Sequence, residues 1–295
     1  METTSKSVGN ASTYKSSAGQ LKVMRLALSC NAEYSNYFGA TSATQVALVL
    51  AAFNNTLTRC NGVYEKDLGV HMNLVASTTN VIYYVAATDP YSTTLSTWNT
   101  SLQKALNTTL TGTNTALAAN NAAYDIGHMF GKTGGGGNAG CIGCICVDGI
   151  TAGTGSTKGR GITSPANGIP SGDSFDIDYV VHEMGHQMGA NHTFSNGNEG
   201  AGVNKEVGSG VTIMGYAGIT SYDVASNSID IFHEASIEQI QNNLAGRTCI
   251  VFTNLVDNAT PVVQPVIDYT IPFSTPFVLT GAATDANATD ALTYC

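Results

Sequence analysis

The chain has 295 residues, 43% of them hydrophobic but only 11% charged, and a formal net charge of −9 from 12 Lys+Arg against 21 Asp+Glu. That length supports one large domain plus a fragment, or two small domains, and the acidic balance excludes a nucleic-acid partner, which needs basic patches to meet phosphate. No apolar run is long enough for a membrane span; "VALVLAAF" at 46–53 reads as buried helix.

Surface polarity comes from Ser, Thr, Asn and 32 Gly rather than from charges, which suits an extracellular protein. Residues 1–20 are polar and Ser/Thr-rich and lack the apolar centre of a signal peptide. They read as a flexible lead-in, with any export signal or pro-segment already removed. Alternation predicts a strand at 21–30, "LKVMRLALSC". Helical spacing of Val46, Leu48, Leu50, Ala51, Phe53 and Leu57 predicts a helix over 42–60. A second strand follows at 68–77, with the β-rich "NVIYYVA" at 80–86 continuing it after a turn. Residues 94–110, around Trp98, Leu102, Leu106 and Leu110, read as a second helix, and 124–130, "YDIGHMF", as a third strand. Strands alternating with helices predict an α/β sheet.

The run "GKTGGGGNAGCIGCICVDG" at 131–149 lacks the GK[ST] of a phosphate-binding loop, and no helix begins there. It reads instead as a Gly-rich turn entering an edge strand over 138–147, where small residues let another backbone approach. A short final strand is expected at 158–163. After residue 193 the chain is loop-rich until a helix at 235–246, with Ser236 and Gln239 spaced as a capping box and Gly246 as its stop. Residues 253–262, containing Pro261, read as a linker. Residues 263–295 hold short β runs and Asp/Asn turns, like the opening strands of an Ig- or cadherin-like sandwich, which needs about 100 residues to close.

The stretch "VVHEMGHQMGANHTF" at 180–194 concentrates three of the 6 histidines. The apolar spacing of Phe175, Ile177, Val180, Val181, Met184 and Met188 makes 175–189 a helix. His182 and His186, four apart, then share one face. Gly189 tolerates positive φ, so the chain can double back and bring His192 to the same point. Three imidazoles suit a zinc ion and leave a fourth position for water. Glu183 projects beside that point, placed to accept a proton from the water. A helix that merely packs or faces solvent is the alternative. Chance produces HExxH in roughly one chain of this size in thirty, and the added Gly and His lower that about 400-fold.

HExxHxxGxxH followed by a methionine turn is the metzincin signature. Met214 in "SGVTIMGYAGI" stands where the turn is expected, although a lone methionine is ordinarily core. Within the metzincins the chain resembles the reprolysin/adamalysin-like proteases, especially their secreted bacterial branch. The resemblance covers about 22–252 and rests also on "RLAL", "NGVYEKDLGVHMNLV", "YDIGHMF", "FHEASIEQI" and "TCI". It implies a metzincin-type α/β (α+β) catalytic domain over 21–252: a five-stranded mixed, twisted sheet with an antiparallel edge strand, an active-site helix and a small C-terminal subdomain. It further implies a secreted, monomeric zinc endopeptidase with His182, His186 and His192 as ligands and Glu183 as general base and acid.

A peptide substrate would add to the edge strand beside Ala139 and Gly140, and residues 215–219, with Gly215 and Ala217, would line the pocket for an apolar side chain after the scissile bond. The family pattern also implies a Cys146–Cys249 disulfide; Cys30–Cys60 is a weaker pairing. Two departures stand out. Thr193 replaces the Asp usual after the third His, and Tyr216 replaces the Pro usual two residues after the Met. The M-x-Y turn resembles astacins and serralysins, which makes Tyr216 a candidate transition-state donor, a pocket-wall or core tyrosine being the alternative.

"CIGCIC" at 141–146 has no second CxxC or spare His pair to complete a metal site, and strand alternation would point Cys141 away from Cys144 and Cys146. His71, His128 and His233 are isolated and read as packed or surface side chains. Asp173, Asp176 and Asp178 fit N-capping and charge at a helix start. Calcium is their alternative reading, without the EF-hand loop pattern to support it. A catalytically silent adhesion or binding protein on the same scaffold, or a zinc hydrolase of another amide, are the rival functions.

Overall fold

The computed structural model describes residues 19–292 apart from 198, 257 and 266; the lead-in up to residue 18 and Cys295 lie outside the described residues. The long strand β1 (Gln20–Cys30) is the axis of the main sheet. It pairs in parallel with β2 (Val70–Leu74) along Lys22–Leu26, and with β3 (Ile126–Phe130) along Leu26–Cys30. β3 pairs in parallel with β5 (Gly161–Ser164), and β4 (Gly136–Asn138) runs antiparallel to β5 as the edge, giving the order β2-β1-β3-β5-β4. Parallel neighbours need crossovers. After the short α1 (Ala32–Tyr37), α2 (Val46–Leu68) makes the first, and α3 (Trp98–Thr109) with α4 (Leu117–Ala122) makes the second.

The alternation of β1 sets the layers. Met24, Leu26, Leu28 and Cys30 join the core beneath α2, the zinc-motif helix and the last helix, whereas Ala27 turns to the opposite core with Trp98, Leu102 and Leu106. Leu26 and Leu28 are wholly buried; such burial contributes about 1.5–3 kcal/mol each. The motif helix opens as a π-helical segment, Ser174–Val181, and continues as α5 (His182–Met188). Its predicted apolar positions Phe175, Ile177, Val180, Val181, Met184 and Met188 are all buried. The last helix, α6 (Glu234–Ala245), packs on α5.

Several elements differ from their sequence expectation. Residues 80–86 are not a strand: Ala76–Val81 form a 3-10 turn, and only Ile82 makes a bridge, to Cys30. Side chains replace the ladder there, with Leu28 N–H donating to Thr78 Oγ1 and Ser29 Oγ to the Val81 carbonyl. The edge strand ends at Asn138. Gly140, Gly143 and Cys146 take positive φ, which breaks the pleat, and a Cys141–Cys144 disulfide closes the turn. The alternation argument that separated those two cysteines therefore fails. Cys30 and Cys60 are free and buried, not bridged to each other.

Residues 253–254 belong to the sheet rather than to a linker: β6 (Val251–Asn254) lies antiparallel against Gln20–Val23. The α6 cap is His233, whose Nδ1 accepts from Ala235 N–H, while Ser236 lies buried in the first turn; the helix starts too early for a capping box. Beyond β6 the described segment holds one two-residue ladder, β7 (Val262–Val263) with β8 (Ala283–Thr284).

Candidate active site

Gly189 ends α5 at φ +126°, and a Cβ there would lie 2.9 Å from Asn243 Cβ on α6. Glycine is thus required both by backbone conformation and by the close approach of α6. Asn243 Nδ2 donates to the Met188 carbonyl and Gln239 Oε1 accepts from Asn191 N–H, so α6 braces the reversal. The reversal brings His192 back onto the helix face: its Nε2 lies 3.2 Å from His182 Nε2 and 3.0 Å from His186 Nε2.

The opposite ring nitrogens settle the tautomers. His182 Nδ1–H donates to the Ile213 carbonyl at 2.6 Å, and His186 Nδ1–H to the Ala190 carbonyl at 2.7 Å. His192 Nδ1–H donates to both carboxylate oxygens of Glu199, each at 2.9 Å. Carbonyls and carboxylates only accept, so each Nδ1 carries the proton and each Nε2 presents a lone pair. Burial pushes the His186 imidazole down to about 4, with His192 adding to the effect, and burial, then His186 and His192, holds His182 well below the ordinary imidazole value. Neutral imidazoles with three lone pairs converging cannot hydrogen-bond to one another; a cation resolves the repulsion. Imidazoles on a tetrahedral zinc, bound at ~2.0–2.1 Å, set their nitrogens about 3.3 Å apart, which the two separations from His192 match, and all three ligand atoms lie within 4.8 Å of one another. Among the described residues, these three alone gather in metal-holding geometry. Asp173, Asp176 and Asp178 do not: Asp173 pairs with Arg59 and makes no cap bond, Asp176 is buried toward Thr56, and Asp178 enters a cavity.

Met214 is fully buried beneath the trio, and a Cβ at Gly185 would come within 2.7 Å of its Sδ. Its carbonyl accepts from Thr193 N–H, while the neighbouring Ile213 carbonyl holds His182. Thr193, the departure from the family pattern, donates its hydroxyl to Glu206. Glu206 also accepts from Val211 N–H, Thr212 N–H and the Thr212 hydroxyl at 2.8, 2.9 and 2.5 Å. Burial works against this carboxylate, but those hydrogen bonds outweigh it and hold its pKa below the usual range. Glu206 therefore ties the segment bearing His192 to the methionine turn.

Glu183 is buried against the edge strand. A Cβ at Gly137 would fall 2.3 Å from its Oε1, and Ala139 N–H hydrogen-bonds the carboxylate. Burial raises its pKa to about 8, against that hydrogen bond. Tyr216 packs on His192 at 4.4 Å and on Phe194 at 4.5 Å between ring centroids, and burial, then Glu183 and Glu199, raises its phenol to about 12. Ala139 and Gly140 line a cavity of about 500 Å³ on the His186 and His192 side. Gly215 and Ala217 line another of about 440 Å³ on the His182 side. Cys146 and Cys249 form a disulfide. Of the isolated histidines, His71 meets Glu65 at the surface, His128 is buried between Gln187 and Thr163, and His233 caps α6.

Sequence reasoning missed Gly137, Glu199 and Glu206. Gly137 lies in the four-glycine run that announced a close approach, whereas the two acids carry no spacing signal because loops place them. Asp178 was readable as one turn before His182, but was assigned to the helix start.

Three neutral imidazoles that could hold one metal ion, with a carboxylate beside them in a cleft, are the parts a metallopeptidase needs. A family model described as metallo-peptidase family M12B, reprolysin-like, matches residues 20–244. The chain belongs to this reprolysin-like family. Among curated proteins, none matches the chain.

Proposed function

We propose that this protein is a secreted zinc endopeptidase that hydrolyses internal peptide bonds of proteins. The observation that carries the reading is the convergence of three Nε2 lone pairs, each fixed by a proton on Nδ1, beside a buried carboxylate. His182, His186 and His192 would hold the ion. When bound, zinc supplies Lewis acidity, lowering the pKa of water at its open position and polarising the scissile carbonyl.

The other roles fall to the chain's own groups. A substrate strand runs antiparallel to the free edge of β4, and backbone hydrogen bonds hold it there. Ala139 and Gly140 contact residues before the scissile bond, and Gly215 and Ala217 those after it. Glu183 takes the water's proton on a carboxylate oxygen and delivers it to the leaving amine; a nearby cation favours the ionised form that begins this cycle. Tyr216, beside both cavities, donates its phenol to the developing oxyanion. Secretion is supported by the low charge and by two disulfides, which persist in oxidising compartments, and no helix among the described residues is long and apolar enough to cross a membrane. Residues 263–295 are read as the start of a separate β unit.

Incubation with denatured casein tests the proposal. Wild type is expected to cleave it, and Glu183→Ala to lose about 10²–10⁴ in rate while keeping its zinc. A wild type that binds zinc but cleaves nothing would favour a silent binding protein instead.

A further inference from the structure

Resting on the proteolytic reading, we infer that the cavity on the His182 side selects a cationic side chain, Lys or Arg, in the residue following the scissile bond, with Asp178 as the specificity-determining group. The family resemblance leads one to expect an apolar side chain there, and Tyr179, Ala217 and Ile219 in the lining suit one, but the cavity of about 440 Å³ beside His182 and Glu183 also carries a charge, Asp178, among the polar Ser174, Asn227 and Ser228.

Asp178 sits one helical turn before His182, so its carboxylate and the ligand face share one side of the helix. Its orientation is fixed. Ser228 N–H donates to Oδ1 at 2.9 Å, the Asn227 amide, turned so that its nitrogen faces acceptors, reaches Oδ2 at 3.2 Å, and the Ser174 and Ser228 hydroxyls add hydrogen bonds to the carboxylate. These neutral donors hold the carboxylate without neutralising it. No salt bridge reaches Asp178 among the described residues; Arg59 on α2 is committed to Asp173 at 2.7 Å and Asp230 at 3.3 Å.

A carboxylate in a cavity, partly desolvated and without a cation, is a standing cost that an ammonium or guanidinium relieves. Leucine in the same space would strip water from Asp178 and return nothing, and glutamate would add like-charge repulsion. A long side chain suits this mixed lining: its methylenes can lie along Tyr179, Ala217 and Ile219 while its charged end pairs with the acid. Pockets built around a specific polar partner discriminate more strongly than apolar ones.

The test uses octapeptides with a single variable residue, Lys, Leu or Glu, in an otherwise Ala/Gly sequence, so that only that residue can fill the cavity. Binding is measured on zinc-loaded full-length Glu183→Gln protein, and cleavage on wild type. The expected result is binding about 10-fold or more tighter for Lys than for Leu, with Glu weakest, and kcat/KM ranked the same way. Adding Asp178→Asn, which keeps the acceptor for Ser228, should bring the Lys-to-Leu ratio to about one. Equal binding of the Lys and Leu peptides, tighter binding of Leu, or a ratio unmoved by Asp178→Asn would overturn the inference. Because the binding arm needs no turnover, a Lys preference in binding with no cleavage by wild type would support the pocket and overturn the proteolytic reading alone.

Discussion

Each of the three imidazoles points one N–H at an oxygen and leaves the other nitrogen bare, and most of the site's chemistry follows from that choice of tautomer. The acceptors come from three places: Ile213, the residue before Met214 in its turn, the residue after Gly189, and the loop carrying Glu199. A fourth imidazole, His128, shows the same principle without any ligand role. It is fully buried, donates Nδ1–H to Gln187 Oε1 at 2.7 Å and accepts at Nε2 from the Thr163 hydroxyl at 2.8 Å. Burial pushes it down to about 4, with the Gln187 bond opposing. The unfolded ring, at its ordinary value near 6.5, takes up a proton first. The stability that His128 contributes as a neutral ring is therefore complete above pH 6.5 and is lost progressively as pH falls toward 4, by about 3 kcal/mol at most. Urea unfolding of wild type and His128→Gln at pH 7.5 and 4.5 should show the smaller pH-dependent drop in the variant; equal drops would remove His128 from the account.

At the scale of elements, the edge strand and the motif helix are matched by one missing side chain. Gly137 lets Glu183 lie against β4, since a Cβ there would overlap its Oε1. Gly137→Ala should displace the carboxylate by about an ångström and cost about 10² in kcat. Its zinc content and melting temperature should stay close to wild type, which calorimetry and metal analysis would check. Both the helix and the shared face of His182 and His186 were legible in the sequence, because 3.6-residue periodicity and four-residue spacing are properties of local backbone. The edge strand was legible only as a small-residue run. Its true limits depend on positive φ at Gly140 and Gly143 and on the Cys141–Cys144 bridge, which strand alternation cannot foresee. The capping box of α6 was misread because it needs Ser at the helix boundary, whereas His233 caps the helix and leaves Ser236 inside its first turn.

Over the whole molecule, the segment that follows α6 and the loop after β4 are held together by Cys146–Cys249, which closes a segment with a sequence separation of 103 around the site. In the chain-entropy account, a loop of that length contributes about 4–5 kcal/mol. The Cys146→Ala/Cys249→Ala double variant should unfold at distinctly lower denaturant concentration; an unchanged midpoint would mean that the bridge only follows the fold. The resemblance pointed to this pair, whereas neither Glu206 nor Glu199 could be found from spacing, since irregular loops bring Glu199 to His192 and Glu206 to Thr193. Metal analysis of the purified, folded protein should find about one zinc per chain, lost in His192→Ala with the secondary structure retained. Folded wild type containing no zinc, or His192→Ala binding it as fully as wild type, would contradict the account.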